Sequence, residues 1–280
     1  MEQAAAVVSA ATVFVDIDRV SLRYGEMAET QALLDLRMKV GKGEFATVVG
    51  PSGCGKSSLM KLVTGLLPAT SGTVKVAENA VRGPLKIVGM AFQNSTLLPW
   101  RNILDNVMLP LEIVQPYRQR FRSHRSEYEK LACDLLEAVG LGGLEKQQPW
   151  MLSGGMQQRA NLCRSLVHSP ELLMLDEPFG ALDAFTREEL WSVLQDLWLQ
   201  RHFTCILVTH DLREAAYLSD VIFVMSARPG RVIATHRVDI PRPRTIESTF
   251  EPAFVDLVHK MRTQIAEARG GTTITKKADA

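Results

Sequence analysis

The sequence predicts an α/β fold in which a parallel sheet is covered by helices on both faces, with an antiparallel β part and an inserted helical part. Short apolar, β-branched segments alternate with helical patterns over much of the chain, which is typical of a parallel sheet. The first 50 residues contain strand-like segments only, and residues from about 95 to 165 are mainly helical. With 280 residues, 46% of them hydrophobic, the chain can bury a substantial core.

The individual elements follow from local patterns. The segments VFVDIDRVSLRYG and ALLDLRMKV show period-two alternation, and GKGE predicts a turn into the strand FATVVG. Further strands are predicted at IVGMAFQ, ELLMLDEP, TCILVTH and VIFVM. The helical spacing of apolar residues predicts helices at SSLMKLVTGLL, EYEKLACDLLEAVG and REELWSVLQDLWLQ.

These patterns divide the chain into three parts. Residues 1–13 are predicted to be a flexible tail, because the apolar run there lacks the positive charge that opens a secretion signal, the alternative interpretation. Residues 14–240 form the main domain, with the helical part at about 95–165. Residues 241–280 predict a helix and a disordered tail. One apolar face of that helix either packs on its own domain or serves regulation; it comprises Phe254, Leu257, Val258, Met261 and Ile265.

Charge and cysteine content exclude several classes of protein. The formal net charge is +1, so no bulk electrostatic attraction to nucleic acid is expected. The four cysteines are far apart and form no C-x-x-C pair, which argues against a zinc site or a disulfide framework and fits a cytosolic chain. No stretch offers the roughly 18 apolar residues of a membrane span.

A glycine-rich segment predicts a phosphate-binding loop. The sequence GPSGCGKS fits G-x-x-x-x-G-K-[ST], with a strand before it and a helix after it. Backbone N–H groups of such a loop surround phosphate oxygens, Lys56 reaches the β and γ phosphates, and the Ser57 hydroxyl ligates Mg²⁺. The predicted ligands are therefore a nucleotide and Mg²⁺, and the contacting residues are Gly50, Pro51, Ser52, Gly53, Cys54, Gly55, Lys56, Ser57 and Ser58.

Two carboxylates follow the strand ELLML. Asp176 and Glu177 emerge at its C-terminal end, where sites of α/β proteins are found. Asp176 suits Mg²⁺ coordination and Glu177 suits a general base, since phosphoryl transfer to water needs both functions. In isolation, the pair could equally be a solvated acidic turn.

Two further polar residues end predicted strands. His210 follows TCILVT and can orient the attacking water or contact the γ-phosphate, although a single histidine at a strand end is often unremarkable. Gln93 ends IVGMAF and can contact the same metal ion or water. Both residues are predicted to belong to the catalytic group with Glu177.

A second anion cradle is predicted about a hundred residues after the first. In LSGGMQQRANLCRSLV the apolar stripe docks the helix, so Ser153, Gly154 and Gly155 present unpaired N–H groups outward. The alternative is an ordinary serine-capped helix start. Two chains related by a twofold axis would explain the distance between the cradles, because each chain could then present Ser153–Gly155 to the ATP held by the other.

Over about residues 14–240 the chain resembles the ATP-binding subunits of ABC transporters. GPSGCGKS resembles Walker A, Gln93 the Q-loop, LSGGMQQ the signature, LLMLDEP Walker B, ALD the D-loop and His210 the switch histidine. The resemblance implies a head-to-tail dimer with two ATP molecules at its interface, and nucleotide contacts by Tyr24, Gln157 and Asp183. Gly180 stands where many members have serine, which weakens only a serine contact there.

Two segments are similar to a narrower group, the nitrate, sulfonate and taurine importers. They are LLPWRNILDNV and MSARPGRV. This similarity implies uptake of a small anionic solute, integral-membrane permease partners, a solute-binding protein acting indirectly, and a peripheral location on the cytoplasmic face of the cell membrane. The alternatives are an exporter or lipid-trafficking subunit, or a soluble ABC ATPase of translation or DNA repair.

Overall fold

In the described part of the chain, strands predominate as far as Ala91, with one helix among them, and helices predominate after it. The protein is described by a computed structural model that covers residues 12–24, 30–180 and 182–269. The strands are β1 (Val13–Tyr24), β2 (Thr30–Gly41), β3 (Phe45–Val49), β4 (Ser71–Val76), β5 (Asn79–Ala80), β6 (Val88–Ala91), β7 (Leu172–Asp176), β8 (Thr204–Thr209), β9 (Val221–Met225) and β10 (Val232–Arg237). The helices are α1 (Lys56–Val63), α2 (Ile103–Ile113), α3 (Tyr117–Arg120), α4 (Arg125–Ala138), α5 (Gly154–Leu166), α6 (Ala184–Arg201), α7 (Leu212–Leu218) and α8 (Pro252–Arg269).

The N-terminal strands form an antiparallel sheet of four strands in the order β2-β1-β4-β5. The β1–β2 pair is long because its inward positions are apolar: Val15, Ile17 and Val20 of β1 and Leu33, Leu36 and Val40 of β2 are almost completely buried. This sheet confirms the predicted antiparallel β part.

The second sheet has six strands in the order β10-β9-β3-β8-β7-β6. β9, β3, β8, β7 and β6 pair in parallel, and β10 pairs antiparallel at the edge. Because parallel strands of one sheet end at a common edge, the carboxyl ends of β3, β8, β7 and β6 are neighbours there.

Alternate residues of the central strands face two different hydrophobic cores. In β7, Leu173 and Leu175 join the core shared with α2, α4, α5, α6, α7 and α8, whereas Leu172 and Met174 join the core shared with α1 and the antiparallel sheet. Burial on both faces explains why these strands are continuously apolar instead of alternating. The predicted α/β class is confirmed.

The helical part comprises α2 to α5, and it packs on one side of the parallel sheet. α2 begins where the Asn102 side chain accepts a hydrogen bond from the Asp105 N–H at 2.7 Å. Of the apolar stripe expected from the sequence, Ala160 and Cys163 of α5 and Val167, the residue directly after it, are buried.

The C-terminal helix α8 packs against the core that the parallel sheet shares with α2 and with α4 to α7. Phe254 and Met261 are buried, and Leu257, Val258 and Ile265 are partly buried beside them. The predicted tails lie outside the described residues, apart from Thr12 and Val13, of which Val13 begins β1. Among the described residues, no helix combines the length and hydropathy needed to span a membrane.

Candidate functional site

The predicted site residues collect at the carboxyl edge of the parallel sheet. The phosphate loop follows β3, Asp176 ends β7, and His210 directly follows β8. The sequence predicted a strand as far as Gln93, but β6 ends at Ala91, so Gln93 lies in the loop after it. Adjacent strands thus bring together residues that are far apart in the chain.

The phosphate loop curves because two of its glycines have left-handed backbone angles. Gly53 has φ +75° and Gly55 has φ +101°, conformations that favour glycine. A Cβ at Gly55 would also lie 2.6 Å from Cδ2 of Leu33. The Lys56 ammonium is buried inside the loop and donates to the carbonyl oxygens of Gly50 and Pro51 at 2.9 and 3.0 Å. The loop therefore has the shape expected for surrounding phosphate.

A cavity of about 340 Å³ opens beside this loop. Its lining includes the predicted residues Tyr24, Ser52, Gly53, Gly55, Lys56, Ser57, Ser58 and Glu177, together with Ala32 and Arg228. The Tyr24 hydroxyl lies 3.0 Å from the Ser58 hydroxyl, which holds the aromatic ring at the cavity rim. Ala32 and Arg228 are not predicted from the sequence, since neither belongs to a residue pattern with fixed spacing from the loop.

Asp176 and Ser57 supply neighbouring oxygen atoms. The Ser57 hydroxyl lies beside the Asp176 carboxylate. Burial raises the pKa of Asp176, and the Ser57 hydroxyl opposes that rise. Hard oxygen donors of this kind suit Mg²⁺, which proteins commonly hold through one or two carboxylates plus substrate phosphates.

Glu177 contacts both other predicted catalytic residues. Its Oε2 lies 3.2 Å from Nδ1 of His210 and accepts a hydrogen bond from Nε2 of Gln93 at 3.5 Å. Glu177 has φ +45°, an uncommon angle for a residue with a side chain, and its N–H donates to the Val208 carbonyl oxygen at 2.8 Å. The strand ends therefore assemble a carboxylate, an imidazole and an amide next to the cavity.

The second cradle starts α5 but does not line this cavity. The Ser153 side chain caps the helix by accepting from the Met156 N–H at 3.3 Å. A Cβ added at Gly154 would meet nothing within 4 Å, so the backbone there faces open space. The Gln157 side chain instead bonds to Ser95 and to the carbonyl oxygens of Pro149 and Leu152. Within one chain, the two cradles are separate.

Asp183 caps α6. Its carboxylate accepts from the Thr186 N–H at 3.1 Å, and hydrogen bonds from the Thr186 hydroxyl and N–H lower the pKa of Asp183. Asp183 remains exposed, as do two tryptophans of the helical part, Trp100 (74% exposed) and Trp150 (66%). Trp100 is therefore not part of the core of the helical part.

A larger cavity, of about 520 Å³, lies at the opposite end of the sheet. It is formed by residues that precede β3, β7 and β8, among them Lys42, Glu171 and Arg201, and contains none of the predicted site residues. Helices α5 and α6 both end beside it, and helix C-termini do not favour anions. The phosphate chemistry therefore belongs to the carboxyl edge.

The site is a nucleotide-hydrolysing site of the phosphate-loop class. It combines a phosphate loop and its lysine with a serine–aspartate oxygen pair and with a carboxylate that histidine and glutamine contact. The family model described as ABC transporter matches residues 33–180, slightly more than half of the chain. The chain belongs to this family and is one of its ATP-binding ATPases.

Curated relatives match almost the whole chain. The aliphatic sulfonates import ATP-binding protein SsuB of Bacillus licheniformis is 41% identical over 247 residues, which cover 86% of this chain and 92% of the relative. The taurine import ATP-binding protein TauB of Escherichia coli K12 is 36% identical over 258 residues, which cover 90% of this chain and 98% of the relative.

Solved structures show the same fold. A dimeric post-hydrolysis state of the ATP-binding cassette MJ0796, bound to ADP and Pi, has a TM-score of 0.68 at 28% identity and covers 81% of this chain and all of that one. The structure of cbiO1 from Clostridium perfringens, at 23% identity and a TM-score of 0.72, covers 92% of this chain and 99% of that one and supports the fold alone.

Proposed function

We propose that this chain hydrolyses MgATP as a dimer to drive import of a small organic anion, of the sulfonate or taurine type, through separate membrane subunits. The observation that carries the proposal is the contact of Glu177 with His210 and Gln93 at the edge of a cavity formed by the phosphate loop. The SsuB and TauB relatives, named for sulfonate and taurine import, support the direction of transport and the class of solute.

Each residue has a distinct task in the proposed reaction. Lys56 and the loop N–H groups bind the phosphates, and Tyr24 at the cavity rim stacks on the base. Glu177 accepts a proton from, or polarises, the attacking water, and His210 and Gln93 hold Glu177 and that water in place. Ser57, Asp176 and Gln93 would hold Mg²⁺, which when bound neutralises charge on the β and γ phosphates.

The separate position of Ser153–Gly155 supports a working dimer. Ser153 and Gly154 are exposed, and neither they nor Gly155 line the cavity of their own chain, so a second copy related by a twofold axis would use them to close its nucleotide site. Asp183, exposed at the start of α6, would reach the partner's nucleotide in the same arrangement.

The remaining partners are proposed from exposure and from the relatives. Exposed Trp100 and Trp150 offer aromatic anchors for a cytoplasmic segment of a permease. The chain would then act as a peripheral protein on the cytoplasmic face of the cell membrane, with a solute-binding protein on the other side. No contact with nucleic acid is proposed.

Replacing Glu177 with glutamine tests the reaction. Glu177→Gln keeps the shape of the side chain but cannot accept the proton, so we expect turnover to fall by at least about a hundredfold while ATP binding persists. Steady-state ATPase assays and nucleotide titration measure the two effects, and Glu127→Gln, an exposed glutamate of α4, is the control. Near-normal hydrolysis by Glu177→Gln would remove Glu177 from this role.

Purification from membranes tests the transport assignment. Tagged chain, extracted in mild detergent, should bring down a polytopic permease identifiable by mass spectrometry. Deleting that permease should abolish uptake of labelled taurine or an alkanesulfonate. Ribosomes or DNA as the only partners would contradict transport, and uptake that persists without the permease would contradict the substrate class.

A further inference from the structure

A chain of hydrogen bonds connects two loops of the site through Arg187, in the first turn of α6. Nη2 of Arg187 donates to the Leu182 carbonyl oxygen at 2.9 Å, and Nη1 donates to Oδ2 of Asp211 at 3.1 Å. Leu182 directly precedes Asp183, and Asp211 directly follows His210. One planar guanidinium thus spans the loop before α6 and the loop after β8.

The loop carrying His210 is fixed on its other side by buried groups. The Asp211 N–H donates to Oγ1 of Thr209 at 3.0 Å, and the Thr209 hydroxyl donates to Oε2 of Glu214 at 2.9 Å. Oδ1 of Asp211 also caps α7 by accepting from the N–H groups of Arg213 and Glu214. A shift of Asp211 would therefore move the backbone that holds His210.

The Arg187–Asp211 pair is shielded enough to transmit such a shift. Their side chains are 27% and 24% exposed, in contrast to the freely exposed pairs elsewhere on the surface. Charge-assisted bonds to a rigid, forked donor are shorter and stronger than neutral ones, and screening weakens them less when they are half-buried. The geometry of the two loops is therefore coupled.

Leu182 also lies next to the start of α5. A Cβ added at Gly155 would lie 3.5 Å from Cδ2 of Leu182 and 3.0 Å from Cγ2 of Thr186. Arg187 is therefore bonded to a loop that adjoins both partner-facing groups, Gly155 and Asp183. Its other bond leads to His210, which contacts Glu177 in the chain's own site at 3.2 Å.

We propose that Arg187 is a positioning residue that couples the loop carrying Asp183 to the loop carrying His210, so that the two nucleotide sites of the dimer influence each other through each chain. The inference rests on the proposed dimer, in which Asp183 reaches the partner's nucleotide. Closure around the partner's nucleotide moves Leu182, Arg187 carries the movement to Asp211, and His210 is set against Glu177.

The first experiment replaces the guanidinium with an apolar side chain of similar length. In Arg187→Met we expect kcat to fall about tenfold with KM changed less than about twofold, because nucleotide binding is retained while His210 is misplaced. Coupled sites give a Hill coefficient above 1 for ATP, and we expect it to fall to 1 in this variant. Arg187→Lys, which keeps the charge but can serve one partner at a time, should restore part of kcat.

A neighbouring arginine provides the control. Arg213 pairs with Glu188 at 3.6 Å and donates to Thr249, so it also joins α6 to α7, but its side chain bonds to neither Leu182 nor Asp211. Arg213→Met should leave kcat and the Hill coefficient unchanged. Loss of kcat in both variants, in proportion to their loss of thermal stability, would indicate a structural role only and overturn the proposal.

A double-mutant cycle locates the effect in the pair. Asp211→Asn retains an oxygen for the α7 cap and replaces the acceptor of Arg187 with a donor. The double variant with Arg187→Met should then be no slower than the worse single variant, whereas additive losses would overturn the proposal. If Arg187→Met does not fold, the kcat and Hill coefficient of Asp211→Asn decide the question alone.

The failures of the two proposals are distinguishable. A wild-type Hill coefficient of 1, or wild-type kcat and Hill coefficient in Arg187→Met, would contradict the coupling while leaving ATP hydrolysis by Glu177 untouched. Retained turnover in Glu177→Gln would instead contradict the proposed reaction.

Discussion

Glu214 is a buried carboxyl group in the first turn of α7, close in sequence to His210. Burial raises the pKa of Glu214 to about 8, the nearby Asp211 adds to the rise, and the hydrogen bond from Thr209 opposes it. Its Oε1 has no hydrogen-bond partner among the described residues. The protonated form is therefore favoured in the folded chain at neutral pH.

This burial predicts a pH-dependent stability. Because the folded pKa lies above the unfolded value of about 4.3, the contribution of Glu214 is present below that value and is lost as the pH rises towards 8. Glu214→Gln has no proton to lose. We expect its free energy of unfolding, relative to that of the wild type, to increase by on the order of a few kcal/mol between pH 5 and pH 8.5.

Urea unfolding of both chains at the two pH values measures this change. Glu127→Gln, with an exposed side chain, should track the wild type at both. A difference between Glu214→Gln and wild type that stays constant with pH would show that Glu214 does not retain a proton in the folded chain.

At the scale of elements, Arg244 joins the segment after β10 to the end of α7. Its Nη1 donates to the carbonyl oxygens of Ala216, Tyr217 and Ser219 at 2.8 to 3.2 Å, and its Nε donates to Ile240. Burial lowers the pKa of Arg244 to about 10, which leaves it charged at neutral pH. The side chain satisfies carbonyl groups that the short α7 leaves unpaired.

Removing this group should be costly. Arg244→Met leaves several buried carbonyl groups without donors, so we expect the free energy of unfolding to fall by about 3 to 5 kcal/mol. Denaturant unfolding measures the loss. Arg262→Met, at an exposed position of α8, is the matched control and should change stability by less than about 0.5 kcal/mol. Equal stability of the two variants would mean that the carbonyl groups find water instead.

The same elements show what a sequence can and cannot predict. The parallel strands were predictable because short continuous apolar runs such as LLML are typical of strands that are buried on both faces. The phosphate loop was predictable because its backbone path fixes the spacing of its residues. Arg187, Arg228 and Arg244 were not predictable, since their side chains act through bonds to residues 4 to 197 positions away. The contact of Glu177 with His210 depends on strand order, which the motifs do not encode.

At the scale of the whole molecule, the separation of the two cradles makes a complementation test possible. Ser153→Arg should block the outward-facing cradle, and Lys56→Ala should remove the phosphate lysine, so each variant alone should be inactive. A mixed dimer retains one site with an intact Lys56 from one chain and an intact Ser153 from the other. Mixing should therefore restore ATPase activity to at most about a quarter of wild type, because about half of the dimers are mixed and each has one complete site.

The control mixes Lys56→Ala chains with chains carrying both substitutions, a combination in which no complete site can form. Steady-state ATPase rates across a range of mixing ratios measure the recovery. Activity that never rises above that of the control would mean that both cradles act within one chain.

The buried ammonium of Lys56 has a consequence for how quickly and tightly ATP is captured. By holding the Gly50 and Pro51 carbonyl oxygens, it fixes the curved path of the loop through bonds that belong to the chain itself. The conformational entropy of ordering the loop is therefore lost during folding and not during association. An arriving triphosphate meets a preorganised receptor, and its binding free energy remains available for the larger movement that brings two chains together.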